Sequence, residues 1–268
     1  MDKAHVDKAV ILSCAYMFGS PMMSVQNEYE KVQQENDWIA QQAALYPHRL
    51  KAYCSINPLK DYAIDEIKRC AATKKFAGLK LHFTNSEIDL RNNDHVQKLQ
   101  TIFALADSLR MPITVHMRTY NKSYGAKDAA IFINELLCKT KHIPVQIAHM
   151  TGWGGYDEAS DSALQVFVDA FNKGTINRKD IYFDISAVVP ATNEPWILGD
   201  NDSMSSQKNW NAKKALIKKI NQIGIDNILF GTDYPLVNPE DYIRNLEAML
   251  GVETTQHILK NKLPDINK

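Results

Sequence analysis

This sequence predicts a parallel (β/α)8 barrel, on three observations. Short apolar runs alternate with longer stretches of helical period. There are seven such runs, more than a small open sheet needs. No GxGxxG, GxxxxGK[ST] or GxSxG motif occurs, so the doubly wound nucleotide binders and hydrolases that share a strand–helix alternation lack their signature here. Strand, helix, strand in repetition means parallel pairing with right-handed crossovers.

The runs, in order, are KAVILS (8–13), LKAYCSI (50–56), FAGLKLHF (76–83), PITVHM (112–117), VQIAHM (145–150), IYFDIS (181–186) and NILFGTD (227–233). They are near-continuous in apolar and aromatic residues, as expected of strands covered on both faces. Between them, 25–47 reads as a helix ending before Pro47, its charges a solvated face. Residues 94–110 place Val96, Leu99, Phe103, Ala106 and Leu109 on one stripe. Residues 210–224 do the same with Leu216, Ile217, Ile220 and Ile223, lysines on the other side and Gly224 as stop. Asn238 suits an N-cap and Pro239 the first helical position of the segment that follows.

The 268 residues show no linker or composition shift, so a single domain over 1–268 is expected. Apolar residues make up 45%, enough for a sizeable core. Lys+Arg 31 equals Asp+Glu 31, which argues against nucleic acid or an anionic membrane as partner. No run reaches the ~20 apolar residues of a membrane span. A small-molecule substrate is the expected partner, and a homo-oligomer is compatible with the sequence. The four cysteines, Cys14, Cys54, Cys70 and Cys138, form no CxxC pair. They read as buried free thiols, which suits a reducing, cytoplasmic setting.

The chemistry-bearing residues sit at run ends. His82 closes GLKLH, His116 closes ITVH, His149 closes QIAH, and Asp233 closes FGTD. In a parallel barrel those ends share one face, where the βα loops build the site. Imidazole and carboxylate suit a divalent cation, Zn²⁺ first and Mn²⁺ second, which lowers the pKa of bound water from ~15.7 towards ~7. Taken singly, a strand-end histidine is ordinarily a hydrogen-bonded structural residue, and Asp233 before Tyr-Pro could be a turn former. His116, His149 and Asp233 sharing one kind of position is what favours a metal site, with His149 and Asp233 as proton carriers. Lys80 lies two residues before His82 and shares its face, so both are candidate substrate contacts, or Lys80 pairs with an internal carboxylate. Arg118 could grip a substrate carboxylate or form a salt bridge. Trp153, within TGWGGYD (151–157), is a further candidate contact, and the glycines around it allow close backbone approach or an ordinary turn. Asp184 shares parity with Ser186 and reads as a satisfied core carboxylate. Residues 186–207, with Trp196, form a long irregular stretch that suits a lid or a simple insertion.

GLKLH, PITVH, QIAHMTGWGG and LFGTDYP, in that order, resemble the amidohydrolase superfamily, in the branch of aminocarboxymuconate-semialdehyde decarboxylase and related metal-dependent hydrolases. The resemblance spans nearly the whole chain. It implies a (β/α)8 barrel, His116 as metal ligand, His149 as metal neighbour or base, and Asp233 as ligand and proton shuttle. It also implies hydrolysis of an amide, ester or lactone by metal-activated water, with non-oxidative decarboxylation as the alternative. Such enzymes open on a strand carrying His-x-His, and no such pair occurs here. MDKAHVDKAVIL resembles the end of a first helix entering a second strand. The first βα unit is thus expected to be missing, and a truncated or degenerate non-catalytic barrel is a third reading.

Overall fold

The computed structural model describes residues 1–190 and 211–264. Most of the 186–207 segment, with Trp196, lies outside them. Seven parallel strands form one sheet in sequence order: β1 (Ala9–Leu12), β2 (Leu50–Ser55), β3 (Phe76–His82), β4 (Ile113–His116), β5 (Val145–Ile147), β6 (Ile181–Asp184) and β7 (Ile228–Leu229). The helices between and after them are α1 (Glu28–Ala44), α2 (Ala63–Thr73), α3 (Asn93–Ser108), α4 (Ala126–Glu135), α5 (Glu158–Lys173), α6 (Ala212–Ile223), α7 (Pro239–Leu250) and α8 (Val252–Lys260). The sheet curls in the manner of a TIM barrel. Among the described residues it has seven strands rather than eight, and β7 is not bonded back to β1.

The strands are not apolar on both faces, contrary to expectation. Each alternates. Leu79, Leu81, Ile113, Val115, Val145, Ile147, Ile181 and Phe183 face outward into the main core beneath the helices. Their neighbours Ser55, Lys80, Thr114, His116 and Asp184 are buried and polar, Gln146 is polar and half-buried, and by the two-residue period all of them face inward. The outer core is aromatic at its centre. Phe103, Phe132, Phe167 and Phe183 follow one another at 5.8, 6.4 and 5.2 Å between ring centroids, distances at which edge and offset contacts are favourable.

Helix signals were mostly legible. Asn238 accepts from the backbone N–H groups of Glu240 and Asp241, with Pro239 opening α7. Gly224 ends α6 at a φ of 98°. Leu109 lies one residue past α3 and is exposed, so it leaves the expected stripe. Lys219 leaves the solvated face of α6. It is buried, donates to Gln165 Oε1 at 2.6 Å and lies 3.4 Å from Asp161. In α1, Asn36 is buried too. It bonds both the carbonyl and the N–H of Ser55 and donates to Glu66, tying the helix to the end of β2. The cysteines are free, as expected, but only Cys54 and Cys70 are buried; Cys14 is exposed and Cys138 half-buried. No helix among the described residues is long and apolar enough to cross a membrane.

The sheet edge at β1 is thinly covered. Ile11 joins Ile39, Ala43 and Ala52 on the helix side. Val10 and Leu12 point the other way and are 46% and 36% exposed. Next to them, Tyr53 fills the interior where β3 places Gly78. A Cβ on Gly78 would lie 2.5 Å from the Tyr53 ring and 2.6 Å from the Pro112 carbonyl oxygen. Gly78→Ala is therefore expected to cost about 1–3 kcal/mol by overpacking, measured by urea unfolding; an unchanged midpoint would contradict the packing described.

Candidate active site

β3 and β4 pair in register so that His82 stands opposite His116. Their rings stack at 4.0 Å with 8° between planes. His149 meets His116 edge-on at 5.3 Å. Three histidines distant in sequence thus converge at the strand ends. Lys80 lies one inward step below His82.

Hydrogen bonds decide which nitrogen of each ring is available. His149 Nδ1 lies 2.8 Å from the Ser186 carbonyl oxygen, which only accepts, so Nδ1 carries the proton and Nε2 keeps its lone pair. His82 Nδ1 accepts from the Asn85 N–H at 3.2 Å, which leaves the ring proton on Nε2. Thr84 Oγ1 donates to the Arg118 carbonyl at 2.7 Å and lies 3.5 Å from His116 Nδ1, so the weak contact there favours Nδ1–H and a free Nε2. The site therefore presents two imidazole acceptors, His116 and His149, and one imidazole donor, His82.

Asp184 holds His149 in place. Its Oδ1 accepts from the His149 N–H at 3.0 Å, from the Ser186 N–H at 3.1 Å and from the Ser186 hydroxyl; its Oδ2 accepts from Gln146 Nε2 at 2.7 Å. His149 and Met150 sit at φ 53° and 49°, a left-handed pair that costs energy without such bonds. Asp184 is thus more than a satisfied core carboxylate. Tyr242, from α7, accepts from the Val188 and Val189 N–H groups and donates to the Ile185 carbonyl, fixing the chain that supplies Ser186.

Burial sets the electrostatics. It pushes His82 down to about 2, helped by the nearby Lys80 and His149. It holds His116 far below the usual imidazole range for the same kind of reason. Burial also lowers Lys80, against the pull of Asp184 and Asp233. Lys80 is only 6% exposed, and among the described residues its ammonium has no hydrogen-bond or ion-pair partner. Tyr16, from the turn after β1, lies against His82 at 4.8 Å, and burial keeps its hydroxyl protonated. Nothing in the sequence pattern singled out Tyr16, because it lies beyond the strand, in a single 3-10 turn (Ala15–Met17).

One expectation is not met, and at two places the structure favours one of the alternatives left open. Asp233 is exposed, in a left-handed turn beyond a strand of only two residues. The described residues hold no group of three His, Cys, Asp or Glu placed to ligate one ion. The trio His116, His149 and Asp233 is therefore not assembled: the imidazoles meet and the carboxylate stands off, felt by Lys80 and Tyr16 only as a charge. Arg118 is already engaged. It binds Asp157 through two nitrogens at 3.1 and 2.9 Å and lies 4.7 Å over the Tyr124 ring. Burial is the largest influence on the Asp157 carboxyl and raises it, but the Arg118 charge and the hydrogen bonds from Arg118 and Ser160 together outweigh it and the net shift is down. The glycines after His149 serve the loop itself. Gly155, at φ 72°, donates to the Ala187 carbonyl.

A catalytic zinc takes three protein ligands. Two free imidazole nitrogens supply less than that, so these residues alone do not fit a tightly held Zn²⁺ or Mn²⁺. After gel filtration in metal-free buffer, the protein should retain far less than stoichiometric zinc or manganese by elemental analysis. Retention of a full equivalent would refute the two-donor description.

The buried histidines also predict a pH dependence. Below their unfolded value of ~6.5, the unfolded chain takes protons that folded His82 refuses until pH falls to about 2. Stability is thus fully present above that window and is lost as pH falls through it. Between pH 6 and 5, His82→Phe should lose about 1 kcal/mol less than the parent, by urea unfolding at each pH; equal losses would show that His82 protonates freely.

The amidohydrolase family model matches residues 14–264. No curated protein matches the chain. Among solved structures, 2,6-dihydroxybenzoate decarboxylase from Rhizobium is similar at 18% identity and a TM-score of 0.63, over 97% of this chain and 83% of that one. A dihydroxybenzoic acid decarboxylase from Polaromonas, with bound manganese and the inhibitor 2-nitroresorcinol, is similar at 18% and 0.58, over 97% and 83%. A probable 2-pyrone-4,6-dicarboxylic acid hydrolase from Acinetobacter baumannii, with citric acid bound, is similar at 17% and 0.57, over 96% and 81%. At these identities the likeness is one of fold.

Proposed function

Because the chain belongs to the amidohydrolase family, we propose that it acts on a small carboxylic acid, by decarboxylation first and hydrolysis second. One observation carries the proposal. Lys80 is a buried cation with no partner among the described residues, set beside three converging imidazoles. A buried charge is costly unless an opposite charge meets it. A substrate carboxylate placed on the Lys80 ammonium supplies that charge.

The neighbouring groups then have defined work. His82 Nε2–H donates to the bound acid. His149 Nε2, its ring oriented by Ser186 and Asp184, takes a proton from a substrate hydroxyl. In decarboxylation the C–COO⁻ bond breaks, its electron pair stays on the substrate carbon, that carbon takes the proton from His149, and CO₂ leaves. Asp233, exposed beyond β7, lends the site only its charge, felt at Lys80. In hydrolysis His149 or His116 instead takes the proton of a water that attacks a carbonyl carbon. Decarboxylation stands first because two of the similar structures are decarboxylases of hydroxylated benzoic acids; hydrolysis keeps its place through the pyrone dicarboxylate hydrolase. A divalent ion, if a third ligand were supplied, would sit on His116 and His149.

Assaying CO₂ release from 2,6-dihydroxybenzoate and ring opening of 2-pyrone-4,6-dicarboxylate separates the two readings. In whichever assay is active, Lys80→Met and His149→Ala should each lower the rate by about 10²-fold or more, with the fold intact by circular dichroism. Full activity in Lys80→Met would end the carboxylate assignment.

A further inference from the structure

Beyond the acid-binding floor, the mouth carries apolar groups that the reaction above does not use. Trp153, from the loop after β5, is 42% exposed although its ring centroid lies 6.4 Å from that of His116, the two planes nearly perpendicular. Tyr120, from the loop after β4, is 48% exposed and meets Trp153 at 5.3 Å and 63°. Met22, from the loop after β1, is 64% exposed, and its sulfur lies 3.4 Å from the Tyr120 hydroxyl. Three separate loops therefore bring a thioether and two rings into mutual contact while leaving them open to water. Single exposed apolar residues need no explanation, but a contiguous cluster beside a polar site marks a binding surface.

We infer that Met22, Tyr120 and Trp153 form the specificity wall of the site and take the flat aromatic ring of a carboxylic acid whose carboxylate sits on Lys80. The inference rests on the carboxylate reading above and adds the class of acid to it. Continuity with the site carries it: the Trp153 ring borders His116, and the His116 ring stacks on His82 one inward step from Lys80. Lys80, the imidazoles and the wall follow one another from strand to rim to loop, so an acid with its carboxylate on Lys80 would set its other end past the imidazoles on this wall. A planar ring gains edge and offset contacts there that a saturated ring of the same size does not, and the Met22 sulfur adds a contact at a ring edge.

The test uses the full chain and three probes: benzoate, cyclohexanecarboxylate and acetate, with affinities measured by calorimetry at one pH. Benzoate should bind more tightly than cyclohexanecarboxylate, and both more tightly than acetate. Trp153→Ala and Tyr120→Ala should each weaken benzoate about three- to tenfold, the size of one aromatic pair, and leave acetate unchanged. Trp153→Phe should restore most of the loss. Both positions are exposed, so thermal melting should not move. Lys80→Met should weaken all three acids. If Lys80→Met changes nothing while Trp153→Ala still weakens benzoate alone, the wall stands and the Lys80 assignment fails. Equal affinity for benzoate and acetate, no measurable binding of any of the three, or no effect of either alanine variant overturns the inference. So does a parent dimer in sedimentation that Trp153→Ala dissociates, since the cluster would then be an interface between copies.

Discussion

Parallel strands that alternate faces govern everything else in this molecule. Their outward residues are aliphatic or aromatic and meet the helices. From the end of β2 to β6 most of their inward residues are polar and shielded, and those of β4, β5 and β6 are bonded from strand to strand. Thr114 donates to Gln146 at 3.4 Å and Gln146 donates to Asp184 at 2.7 Å. Such a belt is tolerable because its members satisfy one another; an unsatisfied group there costs about 1–3 kcal/mol. Lys80 is the exception, and that contrast gives it meaning.

Rigidity at the rim is built from the same belt. Asp184 spends its lone pairs on the backbone of His149 and on Ser186, so a left-handed pair of residues is held without glycine. One ring nitrogen of His149 is thereby turned inward to protein and the other left outward. His82 is oriented the opposite way by the Asn85 N–H. Neighbouring imidazoles thus carry complementary roles, acceptor and donor, set by which backbone group reaches Nδ1. The loop after His149 is clamped in turn by Arg118 on Asp157, which also caps α5 through the Ser160 N–H.

Coverage of the sheet is uneven. The middle strands, β3 to β6, have both neighbours and a full outer core. The β1 edge leaves Val10 and Leu12 partly exposed on the inner side, and β7 contributes only two residues to the ladder. The best-supported histidines come from the middle strands, and Asp233 follows the weakest one. That gradient explains why the imidazoles assemble while the acid stays at the mouth.

By itself the sequence determined the parallel βα order, the helix caps at Asn238 and Gly224, and the residues that end the strands. Those depend on local periodicity and backbone preference, which neighbours along the chain encode. It also determined that His82, His116 and His149 share a rim, because strand ends of one direction must lie together. Only the tertiary structure decided that the strand interior is polar, that Arg118 belongs to Asp157, that Asp184 orients His149, and that Tyr16 backs His82. Those depend on which distant groups come within hydrogen-bond reach, and register and loop path set that distance. Asp233 shows the limit most plainly: its place after an apolar run was readable, but how far a two-residue strand carries it was not.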